Sequence, residues 1–132
     1  MNVLVVDDSR AMRKYVKGAL KAAEGFEVDE VDSGFEAFRV LARNQYALII
    51  TDINMPDING LELVRFVRKS ERHARAKVIV ITSQVTDRLR ERLVSLGIDG
   101  FIAKPFEPET LTEMATRLVL RGEGDDDGVE GT

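Results

Sequence analysis

Five residues whose side chains suit metal and phosphate chemistry follow short apolar runs in this 132-residue chain. Asp7 and Asp8 follow VLVV, and Asp52 follows ALIIT. Thr82 ends the run VIVIT, and Lys104 directly follows GFIA. Mg²⁺ prefers carboxylate oxygens as ligands, whereas an ammonium and a hydroxyl group can hold phosphate oxygens. These residue types indicate metal-assisted phosphoryl chemistry, provided that the fold brings them together.

The apolar segments alternate between two kinds, which predicts five strand–helix pairs. Three runs are continuous and rich in β-branched residues, as is typical of strands buried on both faces of a parallel sheet: 3–6, 47–50 and 78–81. Two shorter or more charged segments, 26–31 and 100–103, are typical of edge strands. Apolar residues at helical spacing fall in five further segments: 12–23, 34–44, 61–67, 87–96 and 111–118.

This alternation predicts an α/β fold of the (βα)5 type, with helices on both faces of a parallel five-stranded sheet. Because strands 2 and 5 look like edges, the doubly wound order is 2-1-3-4-5, as in flavodoxin-like proteins. Such sheets bind ligands beyond the carboxyl ends of their strands, where the strand order reverses. The three aspartates, Thr82 and Lys104 should therefore share one rim. Repulsion among the carboxylates predicts a Mg²⁺ site there.

Local signals mark the ends of the predicted helices. Helix starts are indicated by two capping-box pairs and a first-turn proline: Ser33 with Glu36, Asn59 with Glu62, and Pro108. Gly25 and Gly97 lie where helices should end. After strand 3, Pro56 fixes a turn and Gly60 permits a close approach to the next helix. His73 lies in the polar segment KSERHARAK and is predicted to be solvated.

The composition excludes several classes of protein. The absence of cysteine excludes disulfides, thiolate metal sites and thiol chemistry. No apolar run approaches the roughly 20 residues of a membrane span, and the start is no signal peptide, so we expect a cytoplasmic protein without membrane contacts. Residues 122–132, GEGDDDGVEGT, hold five of the 23 acidic residues and no basic one. We therefore divide the chain into a folded domain, 1–121, and an acidic, disordered tail, 122–132, and expect no direct contact with nucleic acid.

Four segments together resemble the receiver domain of two-component response regulators, of the single-domain, chemotaxis-regulator type: VVDDS, ITDINMPDINGLEL, VIVITS and FIAKPF. The resemblance covers residues 1–121. It implies that Asp52 accepts a phosphoryl group from a sensor histidine kinase or a phosphotransfer protein. It also implies that Asp8 and Asp52 bind Mg²⁺ directly, that Asp7 helps through water, and that Asn54 adds its backbone carbonyl.

The resemblance also assigns roles around the phosphoryl group. Thr82 and Lys104 would contact it, and Phe101 would change rotamer together with Thr82. Many relatives carry Tyr where this chain has Phe101, so the coupling here would act by packing alone. The resemblance implies a cis peptide bond between Lys104 and the proline that follows it. Ser83 and Gln84 would flank the phosphoryl site.

No output domain is expected after the fifth helix, so the resemblance implies output through a protein-binding surface. That surface would comprise helix 4, strand 5 and helix 5, at about 86–121. Arg88, Arg90 and Arg92 would form a basic face there for an acidic partner. Such a protein has no turnover substrate and is not an enzyme.

Two alternatives remain open. One is a Mg²⁺-dependent phosphohydrolase with an aspartyl nucleophile, which the adjacent aspartates and the lack of a cap insertion disfavour. The other is a degenerate receiver that acts only as a scaffold, which the complete residue set disfavours.

Overall fold

The computed structural model describes residues 1–120, and within them five strands alternate with five helices. The strands are β1 (Asn2–Val6), β2 (Glu27–Val31), β3 (Leu48–Thr51), β4 (Lys77–Thr82) and β5 (Gly100–Ala103). The helices are α1 (Arg10–Lys21), α2 (Gly34–Leu41), α3 (Gly60–Lys69), α4 (Asp87–Leu96) and α5 (Pro108–Ala115), and a π-helical turn, Thr116–Leu120, continues α5. All strand pairs are parallel, and their order β2-β1-β3-β4-β5 confirms the predicted doubly wound sheet. The tail predicted for 122–132 lies outside the described residues.

The sheet separates two apolar layers. Helices α2, α3 and α4 cover one face of the sheet, and α1 and α5 cover the other. Successive residues of a strand point to opposite faces, so Leu4 and Val6 belong to the first layer while Val3 and Val5 belong to the second. A central strand must therefore be apolar at every position. This explains the continuous runs from which the strands were predicted.

The predicted helix ends are largely correct. The Ser33 hydroxyl accepts a hydrogen bond from the Glu36 amide at 3.2 Å, and α5 begins at Pro108. The side chain of Asn59 also caps its helix, but it accepts from the Leu61 amide at 2.8 Å rather than from Glu62. Gly97 ends α4 with φ of 86°, whereas Gly25, with φ of 98°, lies beyond α1, which ends at Lys21 and is capped by Ala22.

The prediction that His73 is solvated is wrong. Its side chain is only 3% exposed, and Nε2 lies 2.7 Å from the carbonyl oxygen of Leu41. The ring also lies against that of Phe66, with the ring centres 6.4 Å apart. The connection after α3 folds back under the end of α2. The polar sequence neighbours of His73 therefore face solvent while its ring does not.

The Arg68 guanidinium ties α3 to the connection before β4 and to the connection between α4 and β5. It donates to the carbonyl oxygens of Gly97 at 2.8 Å, Ala74 at 3.0 Å and Ala76 at 2.7 Å. It also forms an ion pair with the Asp99 carboxylate at 2.7 Å. The same carboxylate accepts from the Val78 amide at 2.9 Å. One side chain therefore fixes the positions of two connections and the start of β4.

We expect Arg68→Ala to lower the free energy of unfolding by about 3 kcal/mol, because it removes three hydrogen bonds to carbonyls, one of them partly buried, and the ion pair with the Asp99 carboxylate. Arg65→Ala is the matched control. Arg65 is on the same helix but is more exposed, and its ion pair with Glu62 spans 3.6 Å. Its loss should cost less than about 1 kcal/mol. Urea denaturation of both variants measures the difference, and equal losses would contradict this role of Arg68.

Candidate functional site

The structure brings the predicted chemical residues to one rim of the sheet. Asp7 and Asp8 follow β1, Asp52 follows β3, Thr82 ends β4 and Lys104 follows β5. The three aspartates can place one carboxylate oxygen each within 4.8 Å of one another. The rim lies where the strand order reverses, between β1 and β3.

Lys104 pairs with two of these carboxylates. Its Nζ lies 3.0 Å from Asp52 Oδ2 and 3.3 Å from Asp7 Oδ2. The peptide bond between Lys104 and Pro105 is cis, as predicted from the resemblance. The sequence predicted that Lys104 lies on the same rim as the carboxylates. It attributed the compensation of their negative charge to a metal ion alone.

Asp52 is held in place by the backbone that follows it. Its side chain is buried, and Oδ1 accepts from the Ile53 amide at 2.6 Å and the Asn54 amide at 3.3 Å. Oδ2 faces Lys104. One carboxylate oxygen is thus oriented by amides and the other by a cation.

The two adjacent aspartates differ in their surroundings. Asp7 is only 4% exposed, and its carboxylate accepts from the Ser9 amide at 2.9 Å. The Arg13 guanidinium donates to its backbone carbonyl at 2.8 Å. Asp8 is exposed to solvent. A cation that enters from solvent therefore meets Asp8 first and reaches Asp7 and Asp52 behind it.

Burial and neighbouring charges act on two groups at the rim, Asp7 and Lys104, and the pKa of each is raised. Burial raises the pKa of Asp7, and the Asp52 charge adds to this, although the Ser9 amide and the Lys104 ammonium oppose the shift. Burial alone would lower the pKa of Lys104, but its hydrogen bond to Asp52 and the two carboxylate charges outweigh burial and raise it. Lys104 is therefore a cation at neutral pH, whereas an ionised Asp7 opposes folding.

We expect Asp7→Asn to stabilise the protein in Mg²⁺-free buffer at pH 7 and to have no such effect near pH 3. Because the folded-state pKa of Asp7 is raised, its contribution to stability is complete below the ordinary value of 3.8 and is lost as pH rises through the folded value. The variant avoids that loss. Melting temperatures between pH 3 and pH 7 measure it, with the exposed Asp8→Asn as control. A variant that is less stable than the parent at pH 7 would contradict the expectation.

The donor set fits a hard divalent cation. Carboxylate oxygens of Asp7, Asp8 and Asp52 converge, and the exposed edge at Asp8 leaves room for water ligands. Mg²⁺ binds through one or two carboxylates, keeps several waters, and is therefore a suitable occupant. Asn54, the fourth residue of the predicted metal site, directly follows Ile53 and is exposed.

Thr82 and Phe101 are both buried beside the rim. The Thr82 hydroxyl oxygen accepts from the Gln84 amide at 3.1 Å, and its side chain is fully buried. Phe101 points inward and packs in the layer that contains α4. Ser83 and Gln84 are exposed at the end of β4, next to the rim.

The three arginines of α4 do not form one face. Arg88 and Arg92 are exposed and line a groove between α3 and α4 together with Arg65. Arg90 lies on another side of the helix, with its guanidinium carbon 5.7 Å from the centre of the Phe101 ring. The predicted single basic face is therefore wrong, because residues two apart project in nearly opposite directions on a helix.

The sequence did not predict one contact, between the loop after β3 and the start of α2. The Asp57 carboxylate accepts from the Phe35 amide at 2.9 Å and the Gly34 amide at 3.1 Å, and these bonds lower the pKa of Asp57. Asp57 thus caps a helix that lies 22 residues earlier in the chain. No local signal indicates this partner, since a capping residue normally precedes its own helix.

Comparisons with known proteins agree with this geometry. The family model described as "Response regulator receiver domain" matches residues 3–116. A "Chemotaxis protein CheY homolog" of Campylobacter jejuni is 35% identical over 126 residues, which is 95% of this chain and 97% of the relative. "Chemotaxis protein CheY1" of Helicobacter pylori is 38% identical over 114 residues, or 86% of this chain and 92% of the relative.

A solved structure gives the same result. The chemotaxis response regulator CheY4 of Vibrio cholerae superposes with a TM-score of 0.81 at 32% identity, covering 89% of this chain and 97% of that one. The chain belongs to the response regulator receiver family. The two chemotaxis relatives and the CheY4 structure are matched over 97%, 92% and 97% of their own lengths. We therefore assign the chain to two-component signalling. Receiver domains bind Mg²⁺ at an acidic pocket, and the three aspartates form such a cluster here. No helix within residues 1–120 is long and apolar enough to cross a bilayer.

Proposed function

We propose that this protein is a phosphorylation-controlled switch in which Asp52 accepts the phosphoryl group. The observation that carries the proposal is the setting of the Asp52 carboxylate. One of its oxygens is held by two backbone amides, and the other lies 3.0 Å from the Lys104 ammonium. A nucleophile with a fixed orientation beside a cation suits attack on a phosphorus atom.

In the proposed transfer, a carboxylate oxygen of Asp52 attacks the phosphorus of a phosphohistidine on a sensor kinase or phosphotransfer protein. The O–P bond forms as the P–N bond breaks, and the departing imidazole nitrogen takes up a proton. Lys104 then pairs with a phosphoryl oxygen. In this structure the Thr82 hydroxyl oxygen accepts from the Gln84 amide. In the proposed phosphorylated state the hydroxyl donates to another phosphoryl oxygen.

We assign a bound Mg²⁺ to Asp8 and Asp52 as direct ligands, with the Asn54 carbonyl and, through water, Asp7. When bound, the ion would neutralise charge on the phosphoryl oxygens. The exposure of Asp8 and the convergence of the carboxylates support this assignment.

The proposed output follows from packing next to Thr82. A Thr82 side chain that moves toward the phosphoryl group leaves space that Phe101 can fill by changing rotamer. Phe101 contacts the layer under α4, so this change would alter the surface formed by α4, β5 and α5, at about 86–121. Val94 of α4 is 40% exposed on this surface, as suits a site for a downstream protein.

We expect phosphorylation of the full chain to require Mg²⁺. Intact-mass measurement after incubation with a small acyl phosphate should show one added phosphoryl group with Mg²⁺ and almost none with a chelator, because the carboxylates otherwise repel the anionic donor. Asp8→Asn should reduce labelling at limiting Mg²⁺, with the exposed Asp32→Asn as control. Steady turnover of a phosphate ester would favour a phosphohydrolase, and no labelling by the donor or by a cognate kinase would favour a scaffold.

A further inference from the structure

Helix α1 carries a continuous cationic stripe that the proposed phosphoryl chemistry does not use. Its sequence, RAMRKYVKGALK, contains five basic residues and no acidic one. Four of them recur at helical spacing along one side: Arg10, Lys14, Lys17 and Lys21. Like charges at this spacing destabilise a helix unless opposite charges compensate them. The stripe therefore favours an anionic neighbour.

The described part of the chain compensates only the middle of the stripe. Glu30 of β2 pairs with Arg13 at 2.9 Å and more weakly with Lys17 at 3.8 Å. Within residues 1–120, neither Lys14 nor Lys21 has a carboxylate within ion-pair distance, and both are exposed. The end of the stripe at Lys21 is the less compensated one, because α5 brings Glu109 and Glu113 to the groove beside Lys14.

The chain itself supplies a segment of opposite charge close to this end. Residues 122–132 hold five carboxylates and no basic side chain. Helix α5 packs beside α1, since the Tyr15 hydroxyl donates to the Phe106 carbonyl at 2.6 Å and the Thr112 hydroxyl to the Ala19 carbonyl at 2.8 Å. Both residue numbers increase together along this contact, so the two helices run in the same direction. The described part of the chain therefore ends, at Leu120, on the side where α1 ends at Lys21, and the acidic segment begins two residues later in the sequence.

The segment is long enough to reach the whole stripe. Eleven extended residues span up to about 36 Å, whereas the 12 residues of α1 span about 18 Å. The other basic groove, formed by Arg65, Arg88 and Arg92, lies on the opposite face of the sheet. To reach it, the segment must pass from one face of the sheet to the other. Proximity therefore favours α1 over the arginine groove.

We propose that residues 122–132 bind the cationic stripe of α1 in the same chain. Because the segment is tethered, its effective concentration at the stripe is in the millimolar range, so a combined ion pairing with a dissociation constant below that range keeps it mostly bound. The contact depends on exposed charges and is therefore sensitive to salt. It shields α1 from other acidic partners, and it does not depend on phosphorylation of Asp52.

The absence of cysteine allows a direct test on the full chain. A nitroxide label on Gly131→Cys should weaken the backbone amide signals of residues 14–21 in low-salt NMR spectra. It should leave residues 88–92, in the arginine groove, much less affected. The signals should recover in about 0.5 M NaCl, where screening acts within a few ångströms.

Two sets of variants separate this contact from random collisions of the segment. Neutralising its five carboxylates should restore the α1 signals: Glu123→Gln, Asp125→Asn, Asp126→Asn, Asp127→Asn and Glu130→Gln. Lys14→Gln with Lys21→Gln should do the same without disturbing the fold, whereas the matched pair Arg88→Gln with Arg92→Gln should not. Signal loss centred on residues 88–92, or loss on α1 that persists after neutralisation, would overturn the proposal.

Discussion

Asp52→Ala is expected to abolish labelling by an acyl phosphate or a kinase, while the parent chain gains one phosphoryl group. The Asp52 carboxylate accepts from two backbone amides and lies 3.0 Å from Lys104, whereas Asp7 accepts from one amide and lies 3.3 Å from Lys104. Alanine removes the nucleophile, so no covalent bond to phosphorus can form at this position. The difference should be nearly all-or-none and is measured by intact mass at matched donor and Mg²⁺ concentrations.

Asp57→Asn is the control for this loss. Asp57 lies on the same loop, but its carboxylate caps α2 through the Gly34 and Phe35 amides and does not face the rim. An asparagine oxygen can still accept one of these two bonds, and the substitution leaves the rim unchanged, so labelling should stay close to that of the parent. Labelling that persists in Asp52→Ala and disappears in Asp8→Ala would move the acceptor to the end of β1.

Gly60→Ala is expected to lower the free energy of unfolding by about 3 kcal/mol and to reduce labelling of Asp52. A Cβ atom at this position would overlap the backbone carbonyl oxygen of Asp52 and lie 2.8 Å from Ile53 Cα. Neither backbone atom can move without displacing the loop that orients the Asp52 carboxylate. One methyl group should therefore affect both stability and phosphorylation, as measured by urea denaturation and intact mass.

Gly18→Ala makes the same chemical change, but we expect it to have the opposite effect on the free energy of unfolding. Gly18 lies inside α1, and an added Cβ atom would meet no other atom within 4 Å. Alanine should therefore stabilise the protein by about 0.5–1 kcal/mol through helix propensity and leave labelling unchanged. If both variants shift stability in the same direction, the close approach at Gly60 does not explain its effect.

The fold could be predicted from sequence because strand burial is encoded locally. The runs at β1, β3 and β4 are apolar at every position, and β2 and β5 have the character of edges, which together fix the strand order. Once that order is known, the rim follows, because Asp7, Asp52 and Lys104 all come directly after strands. The convergence of these residues needed no long-range contact beyond the sheet itself.

Contacts between distant segments could not be predicted in this way. Arg68 is one of several arginines on exposed helix faces in the sequence, and nothing local indicates that it binds the carbonyls of Gly97 and Ala76. His73 is similar, since its burial depends on where a connection folds under α2. The separation of Arg90 from Arg88 could have been predicted, because residues two apart on a helix project in nearly opposite directions. The prediction of a single basic face did not take this helical spacing into account.

The contacts of Lys104 with Asp52 and Asp7 have a consequence for how the domain uses divalent ions. A side chain that is part of the polypeptide already offsets part of the repulsion at the rim, so we expect the native fold to form without bound metal. We therefore expect Mg²⁺ to matter more for phosphoryl transfer to Asp52 than for stability. The lysine would keep the domain folded while the ion exchanges with solvent.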